Sequence, residues 1–135
     1  MLRNVRTTCL LLLTCILAGC GSQTVPIQGR VKFKDGSDVS VLQGYKVNLQ
    51  AAGGSSSFGT IEADGTFKIS TFGQHDGAMP GVHQVTVTPP TAPAPDKPPS
   101  KPAIPPKYNA FETSGLTVDV QPGQDAVELE LERAP

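Results

Sequence analysis

Ile27-Gln28-Gly29-Arg30-Val31-Lys32-Phe33-Lys34-Asp35-Gly36 is the stretch that decides the fold. Ile27, Gly29, Val31 and Phe33 alternate with Gln28, Arg30, Lys32 and Lys34. A period of two puts alternate side chains on opposite faces of a strand, so one face is apolar and the other charged. Asp35-Gly36 then supplies turn chemistry, because glycine accepts a positive φ. The same pattern recurs downstream. Tyr45, Val47 and Leu49 alternate with Lys46, Asn48 and Gln50. Phe58 to Glu62 reads as a third strand, and Asp64-Gly65 turns it into a fourth that carries Phe67 and Ile69. Val82 to Thr88, Leu116 to Val120 and Val127 to Glu132 complete the series, the last with Glu128, Glu130 and Glu132 on its outer face. No segment shows the i, i+3, i+4, i+7 stripe of a helix. The expectation is an all-β fold, an antiparallel β-sandwich of about seven strands. The triple-Glu face reads as a solvated one that also guards a sheet edge against aggregation.

Pro89 to Pro106 interrupts the pattern with nine prolines. Proline fixes φ and lacks the N–H that a ladder needs. This Pro-rich loop, 89–107, is expected to be extended, polyproline II-like and solvated. Ala51 to Ser57 is a small-residue segment that reads as a flexible loop outside the core. With the Phe72 to Pro80 loop these are the three candidate recognition surfaces, since loops on a rigid scaffold carry most recognition.

The first part of the chain has a different composition. Arg3 and Arg6 precede Thr8 to Leu17, an almost unbroken apolar run of about ten residues, half the roughly twenty a membrane-spanning helix needs. Small residues Ala18 and Gly19 follow, as at the end of a secretory signal. Leu17-Ala18-Gly19-Cys20 resembles the lipobox of bacterial lipoproteins. That resemblance implies cleavage between Gly19 and Cys20, lipidation of Cys20 as a diacylglycerol thioether, and an acylated new N-terminus. The expected organisation is a signal peptide over 1–19, a lipidated tether over 20–25 and a β-sandwich domain over 26–135. Cys9 and Cys15 leave with the signal and Cys20 is consumed by lipid, so no disulfide is available. Removing Arg3 and Arg6 from the 11 basic residues leaves nine against 12 acidic ones, a formal charge of −3. Without a basic stripe, nucleic acid is not an expected partner. No basic patch adds electrostatic membrane affinity either.

Three stretches together carry a second resemblance. They are Gly29-Arg-Val-Lys-Phe-Lys-Asp-Gly36, Gly59-Thr-Ile-Glu-Ala-Asp-Gly-Thr-Phe67 and Pro80-Gly-Val-His-Gln-Val-Thr-Val87, followed by Pro106-Lys-Tyr and Thr113-Ser-Gly-Leu-Thr-Val118. In this order, after a lipobox, they resemble small bacterial lipoproteins with a carboxypeptidase-regulatory-like, or transthyretin-like (prealbumin-like), domain. The resemblance spans nearly all of the chain after Cys20. It implies a seven-stranded sandwich and carries over no catalytic residues. The long Pro-rich loop and the Ala51 to Ser57 segment depart from the family's commonest pattern.

Catalytic and metal chemistry find little footing. A nucleophilic triad needs a Ser or Cys beside a His held by a carboxylate. His75 and His83 are the sole histidines, and no G-x-S-x-G elbow is present. His83 shares a strand face with Val85 and Val87 and reads as a satisfied, half-buried histidine. His75-Asp76 sits in a Gly-rich turn, without the three or four converging ligands of a zinc site. Asp35-Gly-Ser-Asp38 lacks the spacing of a calcium loop and reads as a turn. Tyr108 and Phe111 flank the Pro-rich loop: they either pack it onto the sandwich or form a small partner-binding patch.

The sequence therefore leads to a non-enzymatic module of the cell envelope that uses no cofactor and no metal. It is lipid-anchored to the cell membrane or outer membrane and faces the extracytoplasmic space. It binds an envelope protein or polysaccharide, or serves as a structural spacer. The alternative is a hydrolase with an unfamiliar site built on His75 and His83.

Overall fold

A computed structural model describes residues 23–91 and 101–135. The expected alternation is realised as seven strands in two sheets. These are β1 (Gln28–Phe33), β2 (Lys46–Ala51), β3 (Ser56–Thr60), β4 (Thr66–Lys68), β5 (Gly81–Thr88), β6 (Leu116–Val120) and β7 (Ala126–Leu131). One sheet has the order β4-β1-β7 and the other β3-β2-β5-β6. The inner faces meet in a core of Val31, Phe33, Val47, Leu49, Phe67, Val85, Val87, Val120, Leu129 and Leu131, all at most 3% exposed. The all-β sandwich read from the sequence is therefore observed.

One pairing departs from an all-antiparallel arrangement: β1 and β7 run parallel, with Gln28 opposite Ala126 and Phe33 opposite Leu131. The outer face of this pair is charged on both strands. Arg30 and Lys32 on β1, and Lys34 just past its end, lie beside Glu128 and Glu130 on β7 and Glu132 just past its end. Lys32 Nζ reaches Glu128 at 2.5 Å and Glu130 at 3.4 Å, and Lys34 reaches Glu132 at 3.2 Å. β7 is an edge strand, and its Glu face is about half exposed and ion-paired.

Close packing sets the neighbouring β1–β4 pair. Gly29 faces Phe67, and a Cβ at Gly29 would fall 1.9 Å from the Phe67 ring. The ring occupies the space that the missing side chain leaves, a known device for supporting a glycine in a sheet.

Four expectations need correction. β3 begins at Ser56, two residues before the strand read from Phe58, so the end of the Ala51 to Ser57 segment belongs to a hairpin. Ser57 is 1% exposed, and its hydroxyl lies 2.8 Å from that of Thr71, so a polar residue is buried with its partner. Short helical turns occur at Val39–Leu42 and Pro106–Asn109, with an α-helix, α1, at Phe111–Ser114. Each holds only four residues, too few to print a helical stripe on the sequence.

The third correction concerns the Pro-rich loop. Residues 92–100 lie outside the described residues, but its return does not stay in solvent. Ile104 is 2% exposed in the core. The Ala103 N–H donates to the Tyr45 hydroxyl at 3.3 Å, and the Ala134 N–H donates to the Ala103 carbonyl at 2.9 Å. An isoleucine among prolines can still dock, because polyproline II backbone needs no ladder of its own.

The fourth concerns the tether. Thr24 is 6% exposed, and Val25 and Ala78 exchange backbone hydrogen bonds of 2.7 and 3.1 Å. The folded part thus begins inside the stretch assigned to the tether.

Candidate functional site

β3 and β4 are edge strands of different sheets and meet along one side of the sandwich. Phe58 and Ser70 exchange backbone hydrogen bonds of 3.0 and 2.9 Å there. Gly59 lets the two strands approach, since a Cβ at that position would sit 2.6 Å from the Lys68 carbonyl oxygen. Around this junction opens a cleft of about 480 Å³. Its walls carry Phe58, Thr60, Glu62, Lys68 and His75, and Phe67 contributes to its floor. Phe58 is 56% exposed. The lining includes two aromatic rings, one carboxylate, one ammonium, one imidazole and several hydroxyls. It mixes apolar and polar groups.

The loop that follows β4 carries His75 and is tightly ordered by Asp76. The Asp76 carboxylate accepts the backbone N–H groups of Thr71 at 2.7 Å, Phe72 at 3.0 Å and Gly73 at 2.9 Å. The Thr71 N–H, followed by those of Gly73 and Phe72, holds the Asp76 carboxyl below its ordinary value. His75 adopts φ +56° while its N–H donates to the Ser70 hydroxyl at 2.9 Å. Asp35, Asp38 and Asp64 make similar local turns, each accepting the N–H two residues on: Ser37, Ser40 and Thr66. The Asp35-Asp38 stretch is thus a pair of turns. No group of three metal-ligating side chains forms among the described residues.

The two histidines are not brought together. His75 lines the cleft, whereas His83 is 0% exposed on the inner face of β5 beside Val85 and Val87. The expected half-buried histidine is therefore fully buried. Its Nε2 lies 2.7 Å from the Met79 carbonyl oxygen, and its Nδ1 has no hydrogen-bond partner among the described residues. Among the described residues the hydrogen-bond partner of its ring is this backbone carbonyl, not a carboxylate.

Tyr108 and Phe111 also separate. Tyr108 is 2% exposed, and its hydroxyl accepts the Glu132 N–H at 3.0 Å. Lys107 sits 5.1 Å from the Tyr108 ring centroid and bonds Glu132 at 2.5 Å. Of the two alternatives for this pair, Tyr108 takes the packing role. Phe111 is half-buried at the start of α1. Gly19 and Cys20 lie outside the described residues.

Sequence reasoning did not single out Phe58 and Phe72, which are 56% and 76% exposed. Among the described residues no helix is long and apolar enough to cross a membrane. Comparison with protein-family models, with curated proteins and with solved structures finds no match.

Proposed function

We propose that this chain is an extracytoplasmic lipoprotein whose sandwich serves as a non-enzymatic binding module of the cell envelope. The observation that carries the reading is Leu17-Ala18-Gly19-Cys20, placed where a short apolar run ends and five residues before Val25. A thioether-linked diacylglycerol with an acylated amine gives several chains, and two or more hold a protein stably at a bilayer. The seven strands in two sheets support the transthyretin-like, carboxypeptidase-regulatory-like resemblance. The cleft at the β3–β4 junction favours binding over a spacer role, because a pure spacer needs no concavity. Its partner is an envelope protein or polysaccharide.

Expression of the full chain in a lipoprotein-processing bacterium, beside Cys20→Ala, tests this. The wild type is expected in the membrane fraction and the variant out of it. Equal release of both forms overturns the reading.

A further inference from the structure

The strand directions sort the loops into two ends. Val25 pairs with Ala78, and Gln28 donates to the Asp125 carbonyl at 3.1 Å. Ala51 pairs with His83 near the start of β5, and Gly81 pairs with Val120 at the end of β6. The turns 52–55, 70–80 and 121–125 therefore share the end at which the N-terminal segment enters. The segments 34–45, 61–65 and 101–115 lie at the other end.

Five residue steps separate Cys20 from Val25, and an extended chain reaches at most about 3.6 Å per residue, so about 18 Å in all. A strand of six residues such as β1 is itself about 20 Å long. A lipid on Cys20 therefore keeps the Val25 end within a strand length of the bilayer, whatever path the tether takes.

Phe72 stands at this end and is 76% exposed. Its position is built. Asp76 accepts its N–H and those of its two neighbours, and the Thr71 hydroxyl donates to the Gly77 carbonyl at 2.6 Å. The next residue, Ala78, is the partner of Val25. Gly77 is needed at this junction: its φ is +91°, and a Cβ there would lie 1.8 Å from the Val25 carbonyl oxygen. One continuous run of hydrogen bonds thus joins the entry point of the tether to an aromatic ring held out of the core.

We infer that the Phe72 loop is a membrane contact, with the ring seated in the interface of the bilayer that holds the Cys20 lipid. This rests on the lipoprotein reading above. The occupant is a lipid surface because the tether length keeps this end at one, and Phe is a side chain that interfacial segments bury among acyl chains. The contact is apolar in kind, since the mature chain is acidic overall and lacks a basic patch. A second attachment point fixes the tilt of the sandwich and turns the loops of the far end away from the membrane.

The chain contains no Trp, so a single Trp is a clean reporter. The full-length lipidated protein is prepared as Phe72→Trp and, for the far end, as Val41→Trp, where Val41 is 45% exposed. Each is reconstituted in phosphatidylcholine vesicles carrying brominated acyl chains. The emission from position 72 is expected to be quenched several-fold more than that from position 41, and equally at low and high salt. If the protein floats with the vesicles and both positions are quenched alike, the contact is wrong while the anchor stands. If intact mass shows no acyl groups and the protein does not float, the lipoprotein reading fails and the contact with it. Shielding of position 72 in native membranes but not in protein-free vesicles overturns the contact in favour of a protein partner.

Discussion

At the end where Val25 enters, the ring of Phe72 is 76% exposed; at the opposite end Tyr45 and Tyr108 are 8% and 2% exposed. Both ends hold their aromatic residues through the backbone, but in opposite directions. At the near end a carboxylate collects backbone N–H groups and the ring is left outside. At the far end the phenol hydroxyls collect backbone N–H groups, from Ala103 and Glu132, and the rings are drawn inside. Fixing a loop and burying its aromatic are thus separable. The far end uses its rings to pack the return of the Pro-rich loop against the sandwich. The near end builds a rigid mount and leaves its ring available.

The largest expected effect falls on the far end. Tyr108→Ala removes a buried ring and is expected to cost about 4 kcal/mol in urea unfolding. Tyr108→Phe keeps the ring and leaves the Glu132 N–H unpaired, at a cost of about 1 kcal/mol. Equal losses from the two variants would mean that the hydroxyl, and not the packing, holds this end.

The near end is probed next by Gly77→Ala. The positive φ and the clash with the Val25 carbonyl together predict a loss of about 3 kcal/mol, with opening of the Val25–Ala78 bridge. Intact protection of the Val25 and Ala78 amides in the variant would contradict a rigid mount.

A smaller, local effect follows from Asp76. Its carboxyl is held below the ordinary value of 3.8 in the folded state. The order it gives the loop is therefore complete above that value and lost as pH falls through the lowered one. Hydrogen exchange at the Phe72 and Gly73 amides, taken relative to the intrinsic rate at each pH, should quicken on acidification through this range while β5 stays protected. Asp76→Asn should quicken it already at neutral pH. Exchange that ignores both changes would sever Phe72 from its mount.

The smallest effect is expected on the outer face of β1 and β7, away from both ends. Lys32 and its glutamate partners are about half exposed. Lys32→Gln should lower Tm slightly at low salt, and the difference should vanish at about 1 M salt, where the screening length is about 3 Å. A large, salt-insensitive loss would mean that this ladder carries the parallel pairing.

Strand identity was legible because the period of two is written into adjacent residues, as in Val127, Leu129 and Leu131. Strand partnership was less so. The parallel β1–β7 pairing joins residues about a hundred positions apart, and the basic and acidic outer faces hinted at it without fixing direction. β3 was misplaced by two residues because Ser56 and Ser57 look like loop, and what buries Ser57 is a hydroxyl in another segment, Thr71. Ile104 was lost among prolines for the same reason: its pocket is made by distant residues. The Phe72 to Pro80 loop was flagged as a surface, yet the exposure of its first ring depends on the Asp76 turn. The cleft needs Gly59 and the Lys68 backbone to meet, which no local pattern records.

The central claim is that a lipid on Cys20 holds the Val25 end of the sandwich at a bilayer. Intact mass of the mature full-length protein, purified from a lipoprotein-processing bacterium, tests it most directly. The account predicts a chain that begins at Cys20 and carries the added mass of a diacylglycerol and an amide-linked acyl group. A mature chain of unmodified mass, or one that begins at another residue, would contradict it.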